Sequence, residues 1–262
     1  SYGLPKKRPG LMGNNYRAEW VQVVQDIDYL DIGSIHGGLK VIKRGGGMQT
    51  KSLRFENEKG RQYVIRSVEK YPEAAVPEAF KNTIASDLIK DFISSSHPYA
   101  AIAIPSMADA VGVYHTNPKI VYIPNEPKLG IYEEEFGGAL YLFEERPMSK
   151  QRKLESFGNA DDIISTDKLI KKRLDNNEIH IDQLFTLKSR LFDMWIGDWD
   201  RHEDQWRWAE FDMGKGKDKM YRPIPRDRDQ AFFYNDGFII RVGPRPPGLS
   251  KFQGFDYSVR VI

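Results

Sequence analysis

Cysteine is absent from this chain, which excludes disulfide scaffolds, thiolate nucleophiles and cysteine-ligated zinc. Histidine is sparse: His36, His97, His115, His180 and His202 form no HExxH pair and no zinc spacing. No apolar run reaches the roughly 18 residues of a membrane-spanning helix. An excess of either charge is also missing. The 39 Lys and Arg against 37 Asp and Glu leave a formal charge of +2, which gives no reason to expect a nucleic-acid partner. No internal repeat, low-complexity tract or coiled-coil stripe marks the sequence. It opens on Ser1-Tyr2-Gly3 and stops on the strand-like Phe255 to Ile262, as expected of a segment excised from a longer polypeptide with covalent neighbours.

The remaining composition is that of a folded chain. Hydrophobic residues make up 40% and charged ones 29% of 262 residues, enough for one large domain or two lobes. After a mixed stretch over 1–37, in which Arg17 to Val24 reads as an edge strand or a short helix, Leu39 to Lys43, Thr50 to Glu56 and Gln62 to Val68 read as strands. They are joined by the turns Arg44-Gly45-Gly46-Gly47-Met48 and Glu58-Lys59-Gly60. Pro77 opens a helix pattern over 78–93, with Phe80, Ile84, Leu88 and Phe92 at helical spacing. Strands are expected at Ala110 to Val113, Ile120 to Ile123 and Ala139 to Glu145, and a short helix at Thr166 to Leu174. A longer helix is expected at Ile181 to Ile196, with Leu184, Leu187, Leu191, Phe192 and Trp195 as its buried stripe. The order implies an α+β fold. It divides into an N-terminal extension (1–37), a sheet-rich lobe (38–145) and a helical lobe (146–262), hinged at Phe143 to Pro147.

Two acidic motifs carry the chemistry. The first, Gly197-Asp198-Trp199-Asp200-Arg201-His202-Glu203-Asp204-Gln205, follows the long helix directly. A carboxylate at Asp200 can orient an acceptor hydroxyl, and an amide oxygen at Gln205 can hold a metal on a phosphate. The competing reading makes Asp198 and Asp200 helix-end caps among packed tryptophans. In the second motif, Pro225-Arg226-Asp227-Arg228-Asp229-Gln230, the two carboxylates share a side if the chain stays extended. They then need a cation between them, either Mg²⁺ or Mn²⁺ or the neighbouring Arg226 and Arg228. Pro223 and Pro225 bar the preceding segment from a fully hydrogen-bonded central strand.

The first motif resembles the Gly-x-x-Asp-Arg-His-x-x-Asn catalytic loop of phosphoinositide-kinase-like and other atypical protein-kinase-like enzymes, and is similar to the loops of HipA-type and CotH-type kinases. The resemblance implies a protein-kinase-like two-lobed fold with an antiparallel-sheet first lobe and a mainly helical second lobe. It makes Asp200 the catalytic residue and Gln205 a metal ligand, with Gln standing where the families have Asn. Asp229, with Asp227 as second candidate, matches the metal-binding Asp, closest to the Trp-Asp-x-Asp form of CotH-type proteins. Gly45, Gly46 and Gly47 resemble a nucleotide-covering loop. Arg66 stands where the kinase strand has its phosphate-contacting Lys, with Lys51 as the other source of that cation and Glu78 or Asp87 as its partner. Phe143-Glu144-Glu145 resembles the hinge that holds adenine through backbone groups. ATP and Mg²⁺, or Mn²⁺, are the implied cofactors, and a hydroxyl-bearing protein or small molecule the implied substrate. The alternative is a catalytically inactive binding or scaffold domain. A looser similarity, carried by Arg44 to Arg54, is to bacterial surface-associated proteins that join such a segment to phosphoesterase and β-barrel regions. It implies a cell-envelope or periplasmic location.

Overall fold

The computed structural model describes residues 13–46, 50–71, 92–214, 216 and 218–237. Gly47, Glu78, Asp87, nearly all of the helix expected over 78–93 and the strand-like 255–262 lie outside the described residues.

The fold is α+β, with ten strands in two sheets among the described residues. The strands are β1 (Asp28–Tyr29), β2 (Lys40–Gly45), β3 (Ser52–Glu56), β4 (Gln62–Ser67), β5 (Lys119–Ile123), β6 (Ala139–Glu145), β7 (Asp162–Ser165), β8 (Ile179–Ile181), β9 (Trp206–Asp212) and β10 (Lys219–Pro225). The helices are α1 (Arg17–Val21), α2 (Ala100–Val111), α3 (Glu133–Phe136), α4 (Thr166–Asp175) and α5 (Gln183–Trp195). The first sheet runs β1-β5-β6-β4-β3-β2 and the second β7-β9-β10-β8. Every strand of the first precedes residue 146 and every strand of the second follows it.

Period-two alternation gives the first sheet its two faces. Leu53, Phe55, Tyr63, Ile65, Tyr141 and Phe143 point to one side and join Leu30, Ile32 and Phe136 in the largest hydrophobic core. Burying each such side chain contributes roughly 1.5–3 kcal/mol before the entropy of ordering it. The opposite face is mixed, with Leu142 in a small apolar cluster beside polar Ser52, Arg54, Arg66 and Glu144. Register sets Ser52 beside Arg66, Arg54 beside Val64, and Val64 beside Glu144. Arg66 and Glu144 are therefore diagonal neighbours on adjacent strands, within reach of each other.

Several expectations need correction. The first sheet is mixed: β1 runs parallel to β5, and all other pairs in that sheet are antiparallel. Since β1 falls within 1–37, that stretch is partly integral to the sheet. Ala110 to Val113 is the end of α2 and not a strand, because an alanine-rich helix runs through it to a left-handed stop at Gly112 (φ 64°). The half after residue 146 is not mainly helical, for it holds four strands beside α4 and α5. The leucine stripe expected to be buried on α5 faces out: Leu184, Leu187, Leu191 and Trp195 are exposed, Trp195 by 69%. Of the expected stripe Phe192 is buried, and Ser189 and Asp193 share the inner face with it.

The prolines of β10 are accommodated at an unpaired stretch of its edge. Tyr221 accepts from the Asp182 N–H on the β8 side, so alternate positions 223 and 225 also turn away from β9. There β8 has already ended, and no hydrogen bond is lost.

Candidate functional site

Asp182 caps α5 by accepting from the Phe185 N–H at 2.9 Å. The helix stops where Gly197 takes a left-handed conformation (φ 67°), and the Asp198 N–H returns to the Asp193 carbonyl at 2.9 Å. This turn sends the chain into the first acidic motif. A 3₁₀ turn, Glu203–Gln205, then buries Gln205 before β9 begins.

Arginine fixes the two acidic motifs together. The Arg201 side chain is 1% exposed and donates to Asp193 through Nε (3.1 Å), to Asp198, and to the carbonyl of Arg226. Arg228 is buried and donates to Asp193 and, at 3.3 Å, to Asp198. Asp198 is thus a fully buried structural carboxyl, pushed up to about 6 by burial against the opposing pull of Arg201 and Arg228. Arg201 ties the loop to the second motif.

Asp200, Gln205, Asp227 and Asp229 line one cavity of about 660 Å³, together with Arg66 and Gly46 from the facing sheet. That volume suits a small-molecule ligand. Asp200 is half-buried and its carboxyl is raised, first by burial and then by the charges of Asp229 and Asp227. Gln205 Nε2 donates to Asp227 Oδ2 at 3.4 Å, while its Oε1 is buried without a partner. Burial would raise Asp227, but Arg66, Lys70 and Arg226 outweigh it and hold the carboxyl low.

The two carboxylates are neutralised by side chains other than the neighbours expected. Arg66 Nε lies 3.5 Å from Asp227, and Lys70 pairs with Asp229. Arg228 is committed to Asp193 and Asp198, and Arg226 donates to the Asp204 carbonyl at 2.8 Å. The chain is not extended here: Asp227 has φ 57°, a turn that carries Arg228 inward between two carboxylates that both face the cavity. Arg66 also pairs with Glu144, which accepts from Thr116 Oγ1 at 2.5 Å.

The remaining expected residues scatter. Gly46 lines the cavity in a conformation (φ 112°) that would drive a Cβ into the Thr50 carbonyl, so glycine is required there. Gly45 precedes it in β2 and is not part of the lining. Lys51 points away, over the Tyr71 ring at 4.3 Å and 3.9 Å from Glu135. The Glu144 side chain is not at the cavity wall but at a small void of about 30 Å³ behind it, shared with Arg66, Lys70 and Asp229. Lys70 escaped the sequence reading, although Arg66, Val68 and Lys70 continue one period-two face past the end of β4. Asp193 escaped it too. Its signal was a carboxylate set on the side of α5 that carries Phe192.

A larger cavity of about 920 Å³ involves His36, His115 and Asp109 but none of the acidic-motif residues. The smaller cleft is the candidate site because Asp200, Asp227 and Asp229 converge there with Arg66 and the buried amide of Gln205. Among the described residues no group of three His, Asp or Glu side chains forms a metal cage, and no helix is long and apolar enough to cross a membrane. Comparison with protein-family models, curated proteins and solved structures found no match to this chain.

Proposed function

We propose that the chain is an atypical kinase-like domain that binds ATP with Mg²⁺, or Mn²⁺, between two lobes (38–145 and 146–262) and transfers the γ-phosphate to a hydroxyl of a protein or small molecule. The observation that carries this reading is the gathering of Asp200, Gln205, Asp227 and Asp229 opposite Arg66 on one cavity. Hard oxygen donors suit Mg²⁺, and the orphaned Oε1 of buried Gln205 is the kind of atom such an ion satisfies. Gln205, Asp227 and Asp229 would hold the metal, which when bound supplies charge neutralisation on the phosphates.

Asp200 orients the acceptor hydroxyl. As the bond from its oxygen to phosphorus forms and the bond to the nucleotide's bridging oxygen breaks, Asp200 accepts the hydroxyl proton. Its raised affinity for protons suits that role. Arg66, steered by Glu144, provides a guanidinium for phosphate. Arg201 acts through the loop and not on the substrate.

A second reading, a catalytically inactive binding or scaffold domain, is favoured by one observation: Arg66 and Lys70 already neutralise Asp227 and Asp229. Calorimetry with ATP, with and without Mg²⁺, separates the two. The kinase reading expects Asp200→Ala to keep nucleotide affinity and abolish transfer, and Asp229→Ala to weaken the metal-dependent part of binding. Absence of nucleotide binding by the wild-type protein with either metal overturns the kinase reading and leaves the scaffold.

A further inference from the structure

Besides Arg66, three arginines line the cleft and a fourth stands near it, and among the described residues none of these four has a carboxylate within ion-pair distance. Arg54, Arg146 and Arg226 line the same cavity as the acidic motifs. Arg207, from β9, stands close enough for its charge to act on Arg146 and Arg226. Their partners are neutral. Arg146 Nη1 donates to the Gln62 amide oxygen at 2.6 Å, Arg207 Nη1 to the Trp206 carbonyl at 2.7 Å, and Arg226 Nη2 to the Asp204 carbonyl at 2.8 Å. Arg226 Nε is buried without a partner, and among the described residues no hydrogen bond or ion pair holds the Arg54 side chain. The acids that bear on this group act from beyond ion-pair distance: Asp204 and Asp167 on Arg207, and Asp227 on Arg226.

Half-buried guanidiniums set beside one another repel, and burial deepens the penalty. The consequence is visible in their ionisation. Burial, then the neighbouring arginines, brings Arg146 down to about 10 and Arg226 down to about 9. Among the described residues no ion pair relieves this crowding, and the acceptors these side chains reach are neutral. An anion shared among the guanidiniums would relieve it, and planar forks of donors match the oxygens of a phosphoryl group.

We propose that Arg54, Arg146 and Arg226, which line the cleft, form an anion subsite that takes a phosphoryl group of the ligand. The inference goes beyond the nucleotide reading, because it stands on the arginines alone. A phosphoryl group can reach the subsite from a nucleotide or from an acceptor that is itself phosphorylated.

The test is calorimetric titration of the full chain with inorganic phosphate and with tripolyphosphate, without metal, in a phosphate-free buffer. Arg146→Gln/Arg226→Gln is expected to weaken tripolyphosphate binding by about tenfold or more, the loss of one or more charge-assisted contacts. Asp229→Asn should leave it intact or tighter. In the absence of anion Arg54→Gln should melt no lower than wild type, since it removes repulsion and breaks no hydrogen bond; a structural role for the cluster would lower its melting temperature. Arg54→Gln, which gives up no hydrogen bond, repeats the test should the double variant not fold. Metal-free ATP that displaces tripolyphosphate identifies the nucleotide as the source, and ATP that binds alongside it points to the acceptor. Failure of wild type to bind tripolyphosphate, or binding indifferent to the arginine substitutions, overturns the subsite. Neither result touches the dependence of Mg²⁺–ATP binding on Asp229, so the two readings fail separately.

Discussion

Asp193→Ala is the substitution that most directly probes how the site is built. Asp193 is fully buried on the inner face of α5 and accepts from Arg190 (3.0 Å), Arg201 (3.1 Å) and Arg228. Removing it leaves two buried guanidiniums to share Asp198, and Arg228 already has Nε and Nη2 without partners. Breaking a buried ion pair by deleting one partner costs roughly 3–5 kcal/mol. That is a large fraction of the roughly 5–15 kcal/mol that holds a domain folded. At about 2–4 °C per kcal/mol for a chain of this size, the melting temperature should fall by on the order of 10 °C. Chemical denaturation, with the slope monitored to keep the denatured state comparable, gives the free energy directly. The double variant Asp193→Ala/Arg228→Met should recover part of the loss, because an apolar side chain replaces a stranded charge. A cost below about 1 kcal/mol for Asp193→Ala, the range of solvated surface pairs, would refute the argument that this cluster clamps the loop to the second motif.

Two further predictions follow from neighbouring groups. Glu144→Gln keeps volume but removes the charge that holds Arg66, at a cost of roughly 3 kcal/mol. Arg66 is then left to Asp227, so Mg²⁺-dependent ATP affinity should fall as well, and unchanged affinity in calorimetry would contradict the assignment. Asp198 has a folded-state value of about 6, above the ordinary carboxylate range, because burial outweighs Arg201 and Arg228. The stability it lends is full below pH 4 and is lost as pH rises through 6, on the order of 3 kcal/mol. Melting curves from pH 4 to 7 should therefore decline less for Asp198→Asn than for wild type, and parallel curves would sink the assignment.

Local pattern alone determined much of the molecule. Strands β3, β4, β5 and β6 declare themselves by alternation, and α5 by its spacing and by the turn at Gly197, because these preferences act within a few residues. The glycine turn at Gly46 and the grouping of Asp200, Gln205, Asp227 and Asp229 were also legible, since each motif is short and its polar residues cannot be buried cheaply without partners. What only the tertiary structure decided is which side chains meet across distance. The face that α5 buries carries Phe192, packed with Ile104 and Ala108 of α2, and Asp193, paired with Arg201 and Arg228, while four apolar residues on its other side stay exposed. Lys70 reaches Asp229 from 159 residues away, and Glu144 meets Arg66 because the register of β4 and β6 makes them diagonal neighbours. Register and long-range charge pairing leave no periodic trace in a sequence. The ion pairs that neutralise this cleft, and the arginines without an ion-pair partner in it, emerge only once residues distant in sequence line one cavity.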